Sequence, residues 1–176
     1  MNYKKSMERT RESKDEYLKK DPNSPLSAKV KKQFKSLNYY PIDEQYRFEL
    51  DLIPDTSNEK IEMETNTERI ALYTRIGYLK FTVDGISCKI AVYQSEDFPD
   101  YYFVPFRDKT SGKETYGTGR YLDLEKHNDK FILDFNRAYS PFCAYNTKFS
   151  CPLPPMENWL QIPINSGEKN FPHEIY

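Results

Sequence analysis

Asp84-Gly85 constrains this chain more than any other feature. It sits between Tyr78-Leu79-Lys80-Phe81-Thr82-Val83 and Ile86-Ser87-Cys88-Lys89-Ile90-Ala91-Val92-Tyr93. Asp-Gly accepts the positive φ angles of a type I′ turn, so it predicts a hairpin closed by two residues. The turn sets the register: Val83 faces Ile86, Phe81 faces Cys88 and Leu79 faces Ile90. All six side chains then share one face, and Lys80, Thr82, Ser87 and Lys89 share the other. The same register makes Cys88 a small core residue, not a nucleophile.

The period of two recurs elsewhere. Tyr46-Arg47-Phe48-Glu49-Leu50-Asp51-Leu52 alternates apolar with charged residues, which predicts a strand with one wet face. Residues 59–65 alternate likewise, with Ile61 and Met63 facing in. Residues 101–106 read as a strand that Pro105 places at an edge or at its end. Residues 120–124 and 130–135 read as two strands joined by a turn at His127-Asn128-Asp129. Residues 160–164 read as a short last strand, with Pro163 again pointing to an edge. The stretch 140–158 carries Pro141, Pro152, Pro154 and Pro155, so it predicts no regular element, and its aromatics favour an ordered, packed loop. Many short strands without helices between them predict a mainly β fold, an antiparallel barrel or sandwich with an N-terminal helical segment, and exclude a doubly wound parallel sheet.

Residues 6–20 read as an exposed helix, with Met7, Tyr17 and Leu18 as its contacts and Arg11 and Asp15 as an i,i+4 pair. Asp21-Pro22 stops it, because the residue before proline avoids the α region. Ser27 caps a second short helix that runs to Phe34. The 176 residues thus divide into a helical segment, 1–36, and a β-rich body, 45–165, of one domain spanning 1–176. A domain of this size buries about 70% of the surface its unfolded chain exposes.

Lys and Arg crowd the first 35 residues, but acids interrupt the first part of that run, which predicts a solvated helical face; a polyanion-binding arm is the alternative. A net charge of −1 does not resemble the basic footprint of a nucleic-acid binder. No apolar run approaches the ~18 residues of a membrane span, and the first residues lead into charge, not an apolar leader. The expectation is a cytoplasmic protein with neither a nucleic-acid nor a membrane partner. Cys88, Cys143 and Cys151 are too few, and odd in number, for a disulfide framework. Cys143 and Cys151 match no zinc-knuckle spacing. Packed thiols are the first expectation for them, with a disulfide next and a metal ligand or nucleophile last.

Three stretches hold the polar chemistry. In the first, 106–122, Gly112 suits a turn, and Gly117 and Gly119 allow a bend or a close backbone approach. Arg107 and Arg120 there suit a carboxylate or phosphate; alternatively they pair with Asp108, Asp123 or Asp134 and lock the loop. Gly117-Thr118-Gly119 matches neither a dinucleotide fingerprint nor a phosphate-binding loop. In the second, 134–145, Asp134 and Asn136 point the same way from an extended strand. The third, 151–158, brings Glu157. With only His127 and His173 in the chain, a His-dependent triad has little to draw on.

Ordered together, these runs carry a resemblance. They are Thr110-Ser111-Gly112-Lys113-Glu114-Thr115-Tyr116-Gly117-Thr118-Gly119-Arg120-Tyr121-Leu122, Asp134-Phe135-Asn136-Arg137-Ala138-Tyr139, Cys143-Ala144-Tyr145, Cys151-Pro152-Leu153-Pro154-Pro155, Glu157-Asn158 and Gly167-Glu168-Lys169. The chain resembles the bacterial and archaeal domain-of-unknown-function family numbered 1684. Lys14-Asp15, Ser24-Pro25-Leu26 and Tyr39-Tyr40-Pro41 look like that family's N-terminal part. Ser140 and Phe142 depart from its pattern, where Asn and Pro are usual. The resemblance implies a site shared by these stretches and names no substrate.

The resulting expectation is a pocket for a small polar or anionic ligand, built from 106–122, 134–145 and 151–158. Arg107 and Arg120 would supply charge, Tyr116 and Tyr139 the walls, and Asn136, Asp134 and Glu157 orientation. An enzyme with Asp134 or Glu157 as base and Arg120 as stabiliser is the first alternative; a non-catalytic interaction module is the second. The sequence indicates no metal and no particular cofactor.

Overall fold

A computed structural model describes residues 2–172. Helix α1 (Tyr3–Lys20) and helix α2 (Ala28–Gln33) precede eight strands. These are β1 (Arg47–Leu50), β2 (Ile53–Pro54), β3 (Lys60–Glu64), β4 (Ile70–Val83), β5 (Ile86–Gln94), β6 (Tyr102–Phe106), β7 (Arg120–His127) and β8 (Lys130–Asp134). They form one antiparallel sheet, curled into a half-barrel, in the order β1-β8-β7-β6-β5-β4-β2, with β3 pairing β4 beside β2. The fold is mainly β, as the alternation predicts.

The β4–β5 hairpin has the expected register, Val83↔Ile86, Phe81↔Cys88 and Leu79↔Ile90. Asp84 and Gly85 take φ of 49° and 77°, the left-handed values a type I′ turn requires. The burial at its tip differs from the expectation. Ile86 is 52% exposed and Cys88 half-buried, because the turn projects past the end of the core. Strand β4 also begins earlier than the pattern suggests, since Ile70 and Leu72 are exposed and give no apolar face to read.

Period two divides the core between the faces of the sheet. Ile90 and Val92 of β5 pack inside the curl with Leu79, Phe81, Val104, Phe106, Leu122, Leu133 and Phe135. Ala91 and Tyr93 pack on the opposite face with Phe103, Tyr121, Cys143 and Cys151. A third cluster joins Leu18 of α1 to Leu26, Phe34, Leu37, Ala144 and Tyr145.

Asn158 explains why Pro105 sits inside the sheet and not at an edge. Strands β5 and β6 pair only at Tyr93↔Phe103 and Gln94↔Tyr102 and then part. The buried Asn158 side chain fills the gap. Its Oδ1 accepts from the Ala91 N–H at 2.7 Å, and its Nδ2 donates to the carbonyls of Ala91 at 3.0 Å and Pro105 at 2.9 Å. Pro105, which has no N–H to offer, stands where no ladder bond is needed.

Two further expectations are corrected. Residues 160–164 form no strand. Leu160, Ile162 and Ile164 are buried, but the segment bonds to the chain after β6, Leu160 N–H to the Arg107 carbonyl and Lys109 N–H to that of Ile162. Arg120 takes the Ile164 carbonyl at 3.0 Å, so no ladder continues. Arg11 and Asp15 do not pair on the surface of α1. Asp15 accepts the Leu37 N–H at 2.8 Å, and Arg11 donates to the Tyr40 carbonyl at 2.9 Å. Both residues face the body of the protein.

Candidate functional site

A cleft of about 430 Å³ lies between α1 and the chain that follows β8. From α1 come Met7, Thr10, Arg11 and Lys14, spaced so that they share one helical face. Asn136, Arg137, Ala138 and Tyr139 form the facing wall, and Tyr39, Asp123, Phe142 and Glu168 complete the lining. The volume falls within the range of small-molecule sites, roughly 300–1,000 Å³.

Arg11 is the most unusual group in the cleft. Its guanidinium lies over the Tyr39 ring, 4.3 Å from the centroid, and Nη1 is committed to the Tyr40 carbonyl. Its Nε and Nη2 are buried and have no hydrogen-bond partner among the described residues. Burial pushes the Arg11 pKa down. Nε and Nη2 form the side edge of the fork, the edge that grips a carboxylate or phosphate through two parallel bonds.

Lys14 donates to Glu168 at 2.7 Å and lies 5.1 Å from the Tyr139 ring centroid. Glu168 is fully buried; its other oxygen accepts from the Tyr145 hydroxyl. Asp123 accepts the hydroxyls of Tyr101 at 2.7 Å and Tyr139 at 2.9 Å. Desolvation and the Asp123 charge push the Tyr139 phenol well up, so it stays a neutral donor. Arg137 pairs with Glu125 at 2.8 Å. The cleft thus has one unpartnered, buried cationic edge in its wall, beside aromatic rings.

Of the residues expected to form a site, Asn136 and Tyr139 line this cleft. Asn136 is saturated: Oδ1 accepts from Asp43 N–H at 2.9 Å and the Ser166 hydroxyl at 3.0 Å, and Nδ2 donates to the Asp43 carbonyl at 2.7 Å and to Asp134 at 3.1 Å. Asp134 borders a smaller adjoining hollow of about 80 Å³. It accepts the Tyr3 hydroxyl at 2.8 Å and the Asn136 N–H at 3.1 Å.

The other four lie elsewhere. Arg120 is 1% exposed. It donates to Asp108 at 2.8 Å and to the carbonyls of Ile164, Ser166 and Glu168 at 3.0, 2.5 and 3.1 Å. It locks the chain before and within Gly167-Glu168-Lys169 to β7, which sets Glu168 in the cleft. Arg107 stacks over Trp159 at 4.5 Å. Tyr116 donates to the Cys143 sulfur at 3.7 Å. Glu157 meets Arg75 at 3.1 Å and the hydroxyls of Tyr78 and Tyr93 at 3.3 and 2.5 Å. Gly119 does make the close approach expected of it: a Cβ there would stand 2.5 Å from the Phe106 carbonyl oxygen. His127 is exposed at the end of β7, and His173 lies outside the described residues.

The three expected stretches meet in a second cleft and not in the first, and of the residues expected to form a site only Tyr139 lines that second cleft. The stretch 134–145 supplies a wall of the first cleft. Cys151 and Pro152 line the second cleft, of about 260 Å³, with Tyr73, Tyr101, Phe103, Tyr121, Phe149 and, shared with the first, Tyr139 and Phe142. From 106–122 only Tyr121 reaches either cleft. Arg11 and Lys14 were hidden in a helix that reads as solvated. The signal is spacing: Arg11 and Lys14 fall on the stripe running from Met7 to Leu18, and those two apolar residues are the buried ones of α1.

The family model for the protein of unknown function DUF1684 matches residues 32–169. The chain belongs to DUF1684. This membership agrees with the ordered motifs from Thr110 to Lys169. A solution structure of the uncharacterized protein from gene locus rrnAC0354 of Haloarcula marismortui is similar: it is 36% identical, covers 95% of this chain and 94% of its own, and superposes with a TM-score of 0.72. No curated protein matches. Among the described residues, no cluster of His, Cys, Asp and Glu could hold a metal ion, and no helix is long and apolar enough to cross a membrane.

Proposed function

We propose that this DUF1684 protein binds a small carboxylate or phosphate ester with a planar apolar body, in the cleft between α1 and residues 136–139. The orphaned Nε–Nη2 edge of Arg11 carries the reading. A buried donor left without a partner costs about 1–3 kcal/mol, and a bound anion removes that cost through two charge-assisted bonds. Lys14 stands on the same helical face, its charge shared with Glu168. Tyr39, Tyr139 and Phe142 give flat apolar walls for the body of the ligand. The expectation of an anionic ligand is kept, with the charge moved from Arg107 and Arg120 to Arg11 and Lys14. Nothing in the geometry favours catalysis, since Asp134 and Glu157 are occupied by other residues, and Asp134 borders the small hollow while Glu157 lines none of the three hollows described.

Calorimetry with benzoate, phenyl phosphate and inorganic phosphate tests the reading. Wild type should bind at least one aromatic anion, and Arg11→Gln should weaken that binding about tenfold or more, since a charge-assisted bond is worth about 1.5–3 kcal/mol. Equal heats for both proteins across the panel would remove the proposal.

A further inference from the structure

The second cleft borders a pair of thiols that the anion site does not use, Cys151 in its lining and Cys143 behind it. Cys151, 7% exposed, lines it among aromatic side chains. Cys143 sits in the 3₁₀ turn Phe142–Ala144, and its backbone N–H donates to the Cys151 sulfur at 3.4 Å. With an N–Cα bond of about 1.5 Å, that sulfur lies within about 5 Å of the Cys143 Cα. A side-chain rotation can then bring the sulfurs into bonding distance, and both cysteines are free thiols.

The two sulfurs have different surroundings. Cys151 is held below the ordinary thiol range by the Cys143 side chain and by the backbone N–H groups of Cys143 and Phe142. Cys143 is pushed up, because its proton serves the bond to Cys151 and because it is buried. The thiolate is the nucleophile in thiol chemistry; Cys151 is the one that lines the cleft and takes a backbone N–H on its sulfur, so it is placed to attack and Cys143 to resolve. Asn66 fixes Cys151 in place, its Oδ1 accepting the Cys151 N–H at 2.6 Å.

We propose that Cys151 and Cys143 form a reactive dithiol, Cys151 attacking organic hydroperoxides that enter the aromatic cleft and Cys143 resolving the product to an intramolecular disulfide. In the first step the Cys151 thiolate attacks one peroxide oxygen. The S–O bond forms as the O–O bond breaks, and the alkoxide takes a proton from water and leaves as an alcohol. In the second step the Cys143 sulfur attacks the sulfenic sulfur of Cys151. The S–S bond forms, the S–O bond breaks, and the departing hydroxide takes the Cys143 proton to give water. Two electrons pass from the two sulfurs to the peroxide. The aromatic walls favour an apolar peroxide over hydrogen peroxide. The proposal is independent of the anion site.

The test treats the whole protein with cumene hydroperoxide and maps peptides by mass spectrometry. A Cys143–Cys151 disulfide should form about tenfold faster than Cys88 is oxidised, because burial raises the Cys88 thiol and lowers its thiolate fraction. Cumene hydroperoxide should act faster than hydrogen peroxide. Cys143→Ser should accumulate a Cys151 sulfenic acid that dimedone traps. The wild-type experiment needs no variant to fold, so it stands alone. Oxidation of Cys88 first, or equal rates for the two peroxides, overturns the proposal. So does a folded Cys143→Ser protein that takes no dimedone.

Discussion

Arg120 and Arg11 bury the same functional group in opposite circumstances. Arg120 makes four hydrogen bonds, to Asp108 and three carbonyls, leaves only Nε without a partner among the described residues, and lines neither of the two clefts of about 430 and 260 Å³. Arg11 leaves a whole edge unmet beside an open volume. Stability measurements should separate them. Asp108→Ala strands a buried cation and should cost about 3–5 kcal/mol in denaturant unfolding. Arg11→Gln relieves unpaired donors while losing one carbonyl bond, so it should change stability by no more than about 1 kcal/mol. The sequence points to arginine chemistry but cannot rank one arginine against another, because the ranking depends on which carbonyls the fold delivers. Asp55 gives a prediction on pH. The Ser57 backbone N–H and hydroxyl, then Arg75, pull its carboxyl from 3.8 down to about 2. A value lowered by folding means its stabilisation is complete above 3.8 and lost as pH falls through about 2. A carbon-detected NMR titration should place the Asp55 midpoint there, and Arg75→Gln should raise it.

Elements whose local chemistry and burial agree were legible. Asp84-Gly85 specifies both a turn and a register, so the pairing of the hairpin could be read, though not the exposure of its tip. Ser27 and Asp21-Pro22 mark helix ends, and those ends hold. Elements set by a distant partner were not legible. Residues 160–164 alternate like a strand, yet their carbonyls and N–H groups are taken by Arg120 and by residues 107–109. Pro105 reads as an edge signal because nothing local announces that Asn158 will stand in for a strand. That substitution can be tested. Asn158→Ala leaves the backbone groups of Ala91 and Pro105 buried and unpaired, each costing about 1–3 kcal/mol. A loss of about 3 kcal/mol or more in chemical denaturation is expected, far above the effect of an exposed Asn→Ala change.

Across the whole molecule, α1 is the part that makes the site. The curled sheet supplies Asp123 and the turn after β8, but without the helix those residues bound only an open surface. Leu18 anchors the helix, packed with Leu26, Phe34, Leu37 and Tyr145. Leu18→Ala should therefore cost about 2–5 kcal/mol and weaken anion binding together with stability, whereas Arg11→Gln weakens binding alone. The family assignment follows from the motifs after Thr110, yet the cationic edge comes from the N-terminal helix, before the matched residues 32–169 begin. Side-chain NMR of arginine Nε–H groups during titration with phenyl phosphate examines that edge directly. The Arg11 resonance should move and saturate while that of Arg120 stays still; an Arg11 signal that ignores the anion, or one that shifts in step with Arg120, would contradict the account.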